Sequence, residues 1–249
     1  MNLIKINFSI LAVSLLFIIK FQFSYANIEE SRIYEVKDLL QFSNAEVESL
    51  NGKISKDVIP GLKQWAFNKD KELSMRWRAL VLAAKIGGES VKMDIDLASR
   101  SSEWYMRSAA ISAAQFISEH DSIFIARRLI KDKALVVRSA AVDIIGSSQD
   151  PKDREILWKV IDDSQNKRKG QSLWVRSQSL KYLILNPQRK EIPNLIKLLK
   201  ENDIELQNIA LSGLEKVSDF KFGSDEENHN DKRQRWLNWW SVNGNSKNL

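Results

Sequence analysis

A short pattern occurs five times along the chain, and no other feature of the sequence restricts the fold as strongly. The five copies are MRWRALVLAAKIG (Met75–Gly87), MRSAAISAAQFI (Met106–Ile117), VRSAAVDIIG (Val137–Gly146), VRSQSLKYLIL (Val175–Leu185) and LQNIALSGLEKV (Leu206–Val217). Their leading polar residues are separated by 31, 31, 38 and 31 positions, at Arg76, Arg107, Arg138, Arg176 and Gln207. Self-similarity at a nearly fixed period indicates a repeat protein, in which each unit packs against its neighbours.

Each copy has the same kind of side chain at the same position. The residue before the leading residue is apolar, the third after it is small and the fourth is aliphatic, as in Val137, Ala141 and Val142. At about 100° per residue, these positions form one stripe of an amphipathic helix. A second helical pattern precedes each copy, at Pro60–Asn68, Val91–Arg100, Ser122–Lys131, Pro151–Asp162 and Ile192–Lys200. The sequence therefore predicts pairs of antiparallel helices that must stack to bury their apolar faces.

Prolines and glycines lie where the predicted helices begin and end. Pro60, Pro151 and Pro193 are near helix starts, where proline is tolerated. Gly87, Gly88 and Gly146 are near helix ends, where glycine readily adopts the left-handed conformation that stops a helix. With only 9 glycines and 4 prolines in 249 residues, the chain is unlike a sandwich or barrel rich in tight turns.

The V-R-x-x-A-x-x-x-[IL] pattern, clearest in Val137–Gly146, resembles the second helix of HEAT repeats. It is most similar to the short bacterial HEAT-like repeats first noted in phycobilisome lyases. The resemblance covers about Val58–Ser218, and Gln207 departs from it by replacing the arginine. It implies an all-α, right-handed α-solenoid (an armadillo-like α–α superhelix) of about five HEAT-like helix pairs, with capping helices at both ends.

We accordingly expect four segments along the chain. Residues 27–57 form an N-terminal capping region with a helix at Glu29–Phe42, and residues 58–218 form the HEAT-like repeats. Residues 219–249 form a linker and a tryptophan-rich capping helix at Asp231–Val242, similar to the tail that often closes bacterial HEAT-like arrays. Residues 1–26 have the pattern of a signal peptide.

The signal peptide is predicted from an apolar run, Phe8–Ile19, that follows Lys5 and ends at Lys20. Small residues at Ser24 and Ala26 predict cleavage after Ala26 and a periplasmic or secreted protein. The run is shorter than the roughly 20 residues of a membrane-spanning helix, and an uncleaved anchor is the alternative. Loss of the two lysines lowers the formal net charge from +6 to +4, which is too small to indicate nucleic-acid binding.

Little in the sequence indicates catalysis. Cysteine is absent, which excludes disulfides, cysteine–zinc sites and thiol nucleophiles. The two histidines, His120 and His229, lack a second ligand at metal spacing, and no P-loop, dinucleotide or hydrolase motif occurs. We therefore expect no cofactor, no metal and no enzymatic activity. The resemblance leaves an alternative open, an enzyme or enzyme accessory, because HEAT-like arrays include bilin lyases and DNA glycosylases.

The leading arginines, Arg76, Arg107, Arg138 and Arg176, fall within the buried stripe of their helices. A buried charge needs a partner, so we interpret them as a structural ladder and not as a track for phosphate. In HEAT repeats the matching arginine usually pairs with an acid near the turn between the helices. Asp70 and Asp132, each six residues before a leading arginine, are the expected acids.

The predicted function is binding of a protein partner, of unknown identity, along the solenoid surface. Its candidate contacts lie on the outward face of the second helices: Trp77, Arg78, Ser108, Ser112, Ser139, Asp143, Trp174, Gln178, Lys181 and Ser212. Seven of these ten side chains are neutral and four are serines, which suits a protein segment better than a DNA backbone. Trp77 and Trp174 are the aromatic candidates, whereas the packing interpretation applies to Trp65, Trp104, Trp158, Trp236, Trp239 and Trp240.

The longest insertion between helices is Asp162–Leu173, which we expect to be a loop. It contains three consecutive positive residues, Lys167, Arg168 and Lys169. They are either a solvated loop or a weak contact for an acidic partner or for anionic lipid headgroups of the envelope.

Overall fold

A computed structural model of the chain describes residues 35–50, 52–148, 150–218, 222 and 228–244. The predicted signal peptide, the start of the predicted Glu29–Phe42 helix and most of the predicted linker lie outside the described residues. The chain divides into two compact units, one ending at Gly87 and one beginning at Gly88. In the described part of the chain, no helix has both the length and the apolar character needed to cross a membrane.

In its described residues, the first unit is a helix pair preceded by two short helices. Helices α1 (Val36–Gln41) and α2 (Asn44–Ser49) bury Leu39, Leu40 and Val47. Ser43 begins α2 with a capping box, in which its hydroxyl accepts from the Glu46 amide and Glu46 accepts from the Ser43 amide. After a 3₁₀ turn at Lys56–Val58, the pair consists of α3 (Ile59–Phe67) and α4 (Leu73–Gly87), which pack against each other.

The part of the second unit that the structure describes contains four helix pairs and a final helix. The pairs are α5 (Lys92–Ser99) with α6 (Trp104–Ala114), α7 (Glu119–Leu129) with α8 (Leu135–Gly146), α9 (Pro151–Asp162) with α10 (Trp174–Leu183), and α11 (Ile192–Leu199) with α12 (Ile204–Val217). Short 3₁₀ turns precede α5 and α11, at Gly88–Val91 and Arg189–Glu191. The final helix, α13 (His229–Asn243), packs on α11 and α12.

Successive pairs stack in two layers. The second helices α6, α8, α10 and α12 contact one another in chain order, and we call them the second-helix layer. The first helices α5, α7, α9 and α11 form the first-helix layer. The small residues of the repeat are fully buried between the helices, as at Ala110, Ala141 and Ser179. Their size lets neighbouring helices approach closely, so the repeated pattern leads directly to the stacking.

The described helices confirm the all-α prediction, and each predicted helix of the repeats is present within a few residues of its expected ends. The handedness of the superhelix stays a prediction. Gly88 has the expected positive φ of 52° after α4, but Gly87 and Gly146 do not and remain helical. The predicted 162–173 loop is also wrong in part. It contains a 3₁₀ turn, Ser164–Asn166, and a two-stranded hairpin, β1 (Lys167–Arg168) with β2 (Gln171–Ser172).

Candidate functional site

The four leading arginines are buried, and three of them in the second unit hold their own interhelical turn. Arg107 donates to the Ser101 and Ser102 carbonyls at 2.9 Å each. Arg138 donates to the Asp132 carbonyl at 2.7 Å, and Arg176 donates to the Ile161 carbonyl at 2.6 Å. In the first unit, Arg76 Nε donates to the Ala66 carbonyl at 3.0 Å. Each arginine thus satisfies backbone carbonyls that the turn leaves without helical partners.

The same arginines in the second unit also reach the next turn along the stack. Arg107 pairs with both carboxylate oxygens of Asp132, at 2.5 and 2.7 Å, and Arg176 donates to Glu201 Oε1 at 2.8 Å. The expected pairing of Asp132 with Arg138 is therefore wrong, because the Asp132 carboxylate serves the preceding repeat. Asp132 therefore connects two of the repeated arginines. Its carboxylate accepts from Arg107, and its backbone carbonyl accepts from Arg138.

The insertion at residues 162–173 supplies a neutral partner for Arg138, whereas Arg107 and Arg176 pair with acids. Arg138 Nε donates to Asn166 Oδ1 at 2.8 Å, and Asn166 is buried and donates to the Val160 carbonyl. Burial lowers the pKa of the Arg138 guanidinium, and the charges of Asp163 and Asp132 oppose this only in part. At Asp132, burial disfavours the charged form, but hydrogen bonds from Arg107 and the Ala134 amide keep its pKa below the ordinary value.

In the last repeat, Gln207 stands at the position that the leading arginine occupies in the other four. Its Nε2 donates to the Glu201 carbonyl at 2.6 Å, as an arginine would to its own turn. Its Oε1 lies 2.8 Å from His229 Nε2 on α13. An amide can donate and accept, whereas a guanidinium only donates. The substitution therefore lets the last repeat bond to the capping helix.

A second row of ion pairs, which sequence reasoning missed, joins the first-helix layer. Each pair links a basic residue of one helix to an acid at the start of the next: Lys92 with Asp121 at 2.8 Å, Arg127 with Asp153 at 2.7 Å, and Arg154 with Glu191 at 2.6 Å. Burial opposes ionisation of Glu191, yet hydrogen bonds from Arg154, Trp158 and the Gln188 amide hold its pKa below the ordinary value. The repeated acid near each first-helix start is the sequence signal that could have found this row.

On the outer surface of the second-helix layer, α8 and α10 share a hydrogen-bonded group that we call the Ser139 network. Gln178 Nε2 donates to Asp143 Oδ1 at 2.6 Å, and the Ser139 hydroxyl donates to Gln178 Oε1 at 2.8 Å. The Tyr182 hydroxyl donates to the same Asp143 oxygen at 3.0 Å, and the Trp174 indole donates to Ser139 Oγ at 3.1 Å. Four of the ten predicted contact residues, together with Tyr182, are thus brought together.

The network leaves the Trp174 ring largely in solvent, with 55% of the residue exposed. Because Ser139 accepts the indole N–H, the ring is held in one orientation and presents its apolar surface. Ordering of a flexible side chain is one of the costs of association, so a ring fixed in advance favours binding. Trp174 therefore presents an exposed aromatic surface whose orientation is fixed by a hydrogen bond.

The other predicted contact residues are dispersed. Ser108, Ser112 and Ser212 are half-buried on α6 and α12, while Lys181 on α10 pairs with Glu205 at 2.9 Å. In the first unit, Trp77 is half-buried, and Arg78 donates to the Phe42 carbonyl and to Asn44 Oδ1. The Arg78 contact ties α4 to the N-terminal helices, so this guanidinium has a structural role.

Two of the tryptophans that were expected to pack differ in their exposure. Trp104 was expected to pack, but it is 49% exposed at the start of α6, because that position precedes the buried stripe. Trp236 is fully buried, in agreement with its packing interpretation.

Lys167, Arg168 and Lys169 are exposed on the hairpin, where Lys167 lies 3.5 Å from Glu201. Lys169 and Gly170 both have positive φ, as a two-residue hairpin turn requires.

A separate apolar groove of about 320 Å³ lies between α5 and α7 in the first-helix layer. Its walls include Ile95, Ala114, Ile117 and Ile125, and the exposed side chains of Met93 and Phe124 form its rim. The charged residues at its edge are paired, Lys92 with Asp121 and Asp96 with Arg128. Among the residues that the structure describes, no group of histidines and acids is arranged to hold a metal ion.

Comparison with known proteins adds a family. Residues 91–175, about a third of the chain, match the family model described as HEAT repeats. This segment is similar to HEAT repeats. The matched HEAT repeats run from the start of α5 to the start of α10 and include the ladder residues Arg107 and Arg138. No curated protein matches the chain.

Replacement of Gly146 with alanine should disturb the Ser139 network through one of its members, Tyr182. The added Cβ would lie 2.3 Å from Tyr182 Cγ, so the ring must move away from Asp143. We expect the free energy of unfolding to fall by about 1–3 kcal/mol, the usual cost of overpacking. Burial and the Asp143 hydrogen bond now raise the pKa of Tyr182, and in the variant this pKa should return toward the ordinary value.

Denaturant unfolding and ultraviolet titration of tyrosine measure these two effects. The control is the same glycine substitution in a Tyr182→Ala background, where the ring is absent and the added cost should vanish. An equal cost in both backgrounds would show that Gly146 is not needed for the approach of Tyr182.

Proposed function

We propose that this protein is an exported HEAT-repeat scaffold that binds a protein partner on its second-helix layer and performs no catalysis of its own. The observation that carries the proposal is the exposed Trp174 ring, held in place by the Ser139 network across α8 and α10. Tryptophan is among the residues most enriched at the energetic centres of protein interfaces. Repeat arrays provide extended surfaces for such contacts.

The charge and the N-terminal sequence support the remaining parts of the proposal. A formal charge of +4 without residues 1–26 provides no basic track for nucleic acid. The apolar run Phe8–Ile19 and the small residues before Asn27 support export to the periplasm or beyond the cell. Export predicts a mature N-terminus at Asn27, which mass spectrometry of the purified protein detects directly.

Site-specific photo-crosslinking in intact cells tests the binding surface. A photoreactive residue is placed at Asn208 on the second-helix layer or at Met93 on the first-helix layer, both exposed positions. We expect one protein to be captured in stoichiometric amount from position 208, and about tenfold less of it when Trp174 is alanine, the effect of a moderate hot spot. Phe124→Ala, which removes a similarly exposed aromatic ring from the other layer, should leave the capture unchanged.

Capture of the same protein from position 93 and not from position 208 would assign the partner to the apolar groove between α5 and α7, contrary to the proposal. Capture that is indifferent to Trp174→Ala would remove the observation on which the proposal rests.

A further inference from the structure

A groove of about 420 Å³ lies on the second-helix layer, where α10 and α12 begin. On the α10 side it is lined by Leu173, Trp174 and Ser177, and on the α12 side by Asn202, Asp203 and Glu205. The described lining contains two acids and an aromatic residue, and no lysine or arginine. The groove therefore combines negative charge with an indole ring, although the chain as a whole is basic.

The Trp174 ring contributes an aromatic surface and not a hydrogen-bond donor. Its N–H is already given to Ser139, so the exposed remainder of the indole is the π system. The face of an aromatic ring carries partial negative charge and attracts cations, and tryptophan does so more strongly than other residues.

Glu205 is the acid that a ligand can reach. Its side chain is 59% exposed, and its partner Lys181 is 61% exposed. An ion pair between two exposed side chains is weak and exchanges readily. The other acids near the groove are occupied, because Asp203 caps α12 through the Leu206 amide and Glu201 is paired with buried Arg176.

We propose that this groove binds an arginine side chain of the partner, with the guanidinium against the Trp174 ring and paired with Glu205 in place of Lys181. Arginine fits better than lysine, because its planar cation stacks on aromatic rings and pairs with carboxylates through two parallel hydrogen bonds. This inference specifies how the proposed scaffold recognises its partner. It rests on the proposed function only in that the partner supplies the arginine.

The full-length protein and a capped tripeptide, acetyl-Gly-Arg-Gly-amide, provide a direct test. Titration is followed by the NMR signal of the Trp174 indole N–H, assigned from its loss in Trp174→Ala. We expect saturable but weak binding, with a dissociation constant of about 1–10 mM, because one cation–π contact and one exposed ion pair contribute only a few kcal/mol. The matching tripeptide with citrulline, a neutral analogue of arginine, should bind about fivefold to tenfold more weakly.

Two variants are expected to move the affinity in opposite directions. Glu205→Gln should weaken binding of the arginine tripeptide about threefold to fivefold, whereas Lys181→Met should strengthen it about twofold by removing the competing cation. Trp104→Ala, which removes an exposed tryptophan from the start of α6, should have no effect. A merely structural role for the Lys181–Glu205 pair predicts the same direction for both variants.

Equal binding of the arginine and citrulline tripeptides, or weaker binding to Lys181→Met, would overturn the inference. Neither result would affect the capture of a partner from position 208, so the scaffold can stand without the arginine site. Conversely, absent capture together with tripeptide binding would overturn the scaffold and keep the site.

Discussion

Replacement of Asp132 with alanine should lower the free energy of unfolding by about 3–5 kcal/mol, the cost of breaking a buried ion pair by removing one partner. Arg107 and Asp132 have only 7% and 5% of their side chains exposed, so the arginine left behind would remain out of solvent. The Ala134 amide would also lose the Asp132 carboxylate that accepts from it at 2.8 Å. Urea unfolding followed by circular dichroism measures the change.

Asp70→Ala is the matched control. Asp70 stands six residues before Arg76, as Asp132 stands six residues before Arg138, but its side chain is exposed. We expect a change within about 0.5 kcal/mol, the usual range for surface positions. Similar decreases in the free energy of unfolding of the two variants would contradict the assignment of Asp132 as the buried partner of Arg107.

The same contact should have a pH signature. Because the pKa of Asp132 is lowered by folding, its stabilising contribution is complete above its unfolded pKa, about 3.9, and is lost as the pH falls through the folded value. The wild-type protein should therefore lose stability more steeply than Asp132→Ala below about pH 4. Parallel curves in that range would contradict the lowered pKa.

Replacement of Trp236 with alanine should detach the capping helix α13. Trp236 is fully buried, and its ring meets Phe222 at 4.8 Å and Trp239 at 5.6 Å between centroids. Loss of a buried tryptophan costs about 3–5 kcal/mol. The remaining contacts of α13 include Arg233 with the Leu199 carbonyl and His229 with Gln207, which are too few to offset that cost.

Hydrogen exchange read by mass spectrometry should show α13 losing protection while α8, two repeats away, keeps it. Trp236→Phe retains an aromatic ring in the site and should preserve most of the protection. An even loss across the second unit would show that α13 is part of one cooperative core and not a cap on it.

The repeated pattern determined the helices because its cause is local. Apolar and small residues at helical spacing, with Pro60, Pro151 and Pro193 in the first turns, are sufficient to predict both helices of each pair. The burial of the leading arginines also follows from the pattern, because on the helix surface they lie between the repeated apolar position and the repeated small position, both of which are buried. The need for a partner follows from the charge.

The identity of each partner was decided only by the stacking. Asp132 is six residues from Arg138 and 25 from Arg107, yet it pairs with the more distant arginine, because the neighbouring repeat brings that side chain to the turn. The sequence could not identify Asn166 as the partner of Arg138, because an asparagine in an insertion resembles any other loop residue until the structure places Arg138 beside it.

The candidate site shows the same division. Sequence spacing placed Ser139, Asp143 and Gln178 on the outward face of their helices, but the hydrogen bonds among them join residues that are 35 to 39 positions apart. The role of Gly146 is likewise tertiary, because the missing side chain makes room for a ring from the next repeat. The sequence by itself determined which residues are helical and which face is buried, because these depend on neighbours along the chain. Only the tertiary structure decided which side chains meet, because those contacts depend on how one helix pair lies against the next.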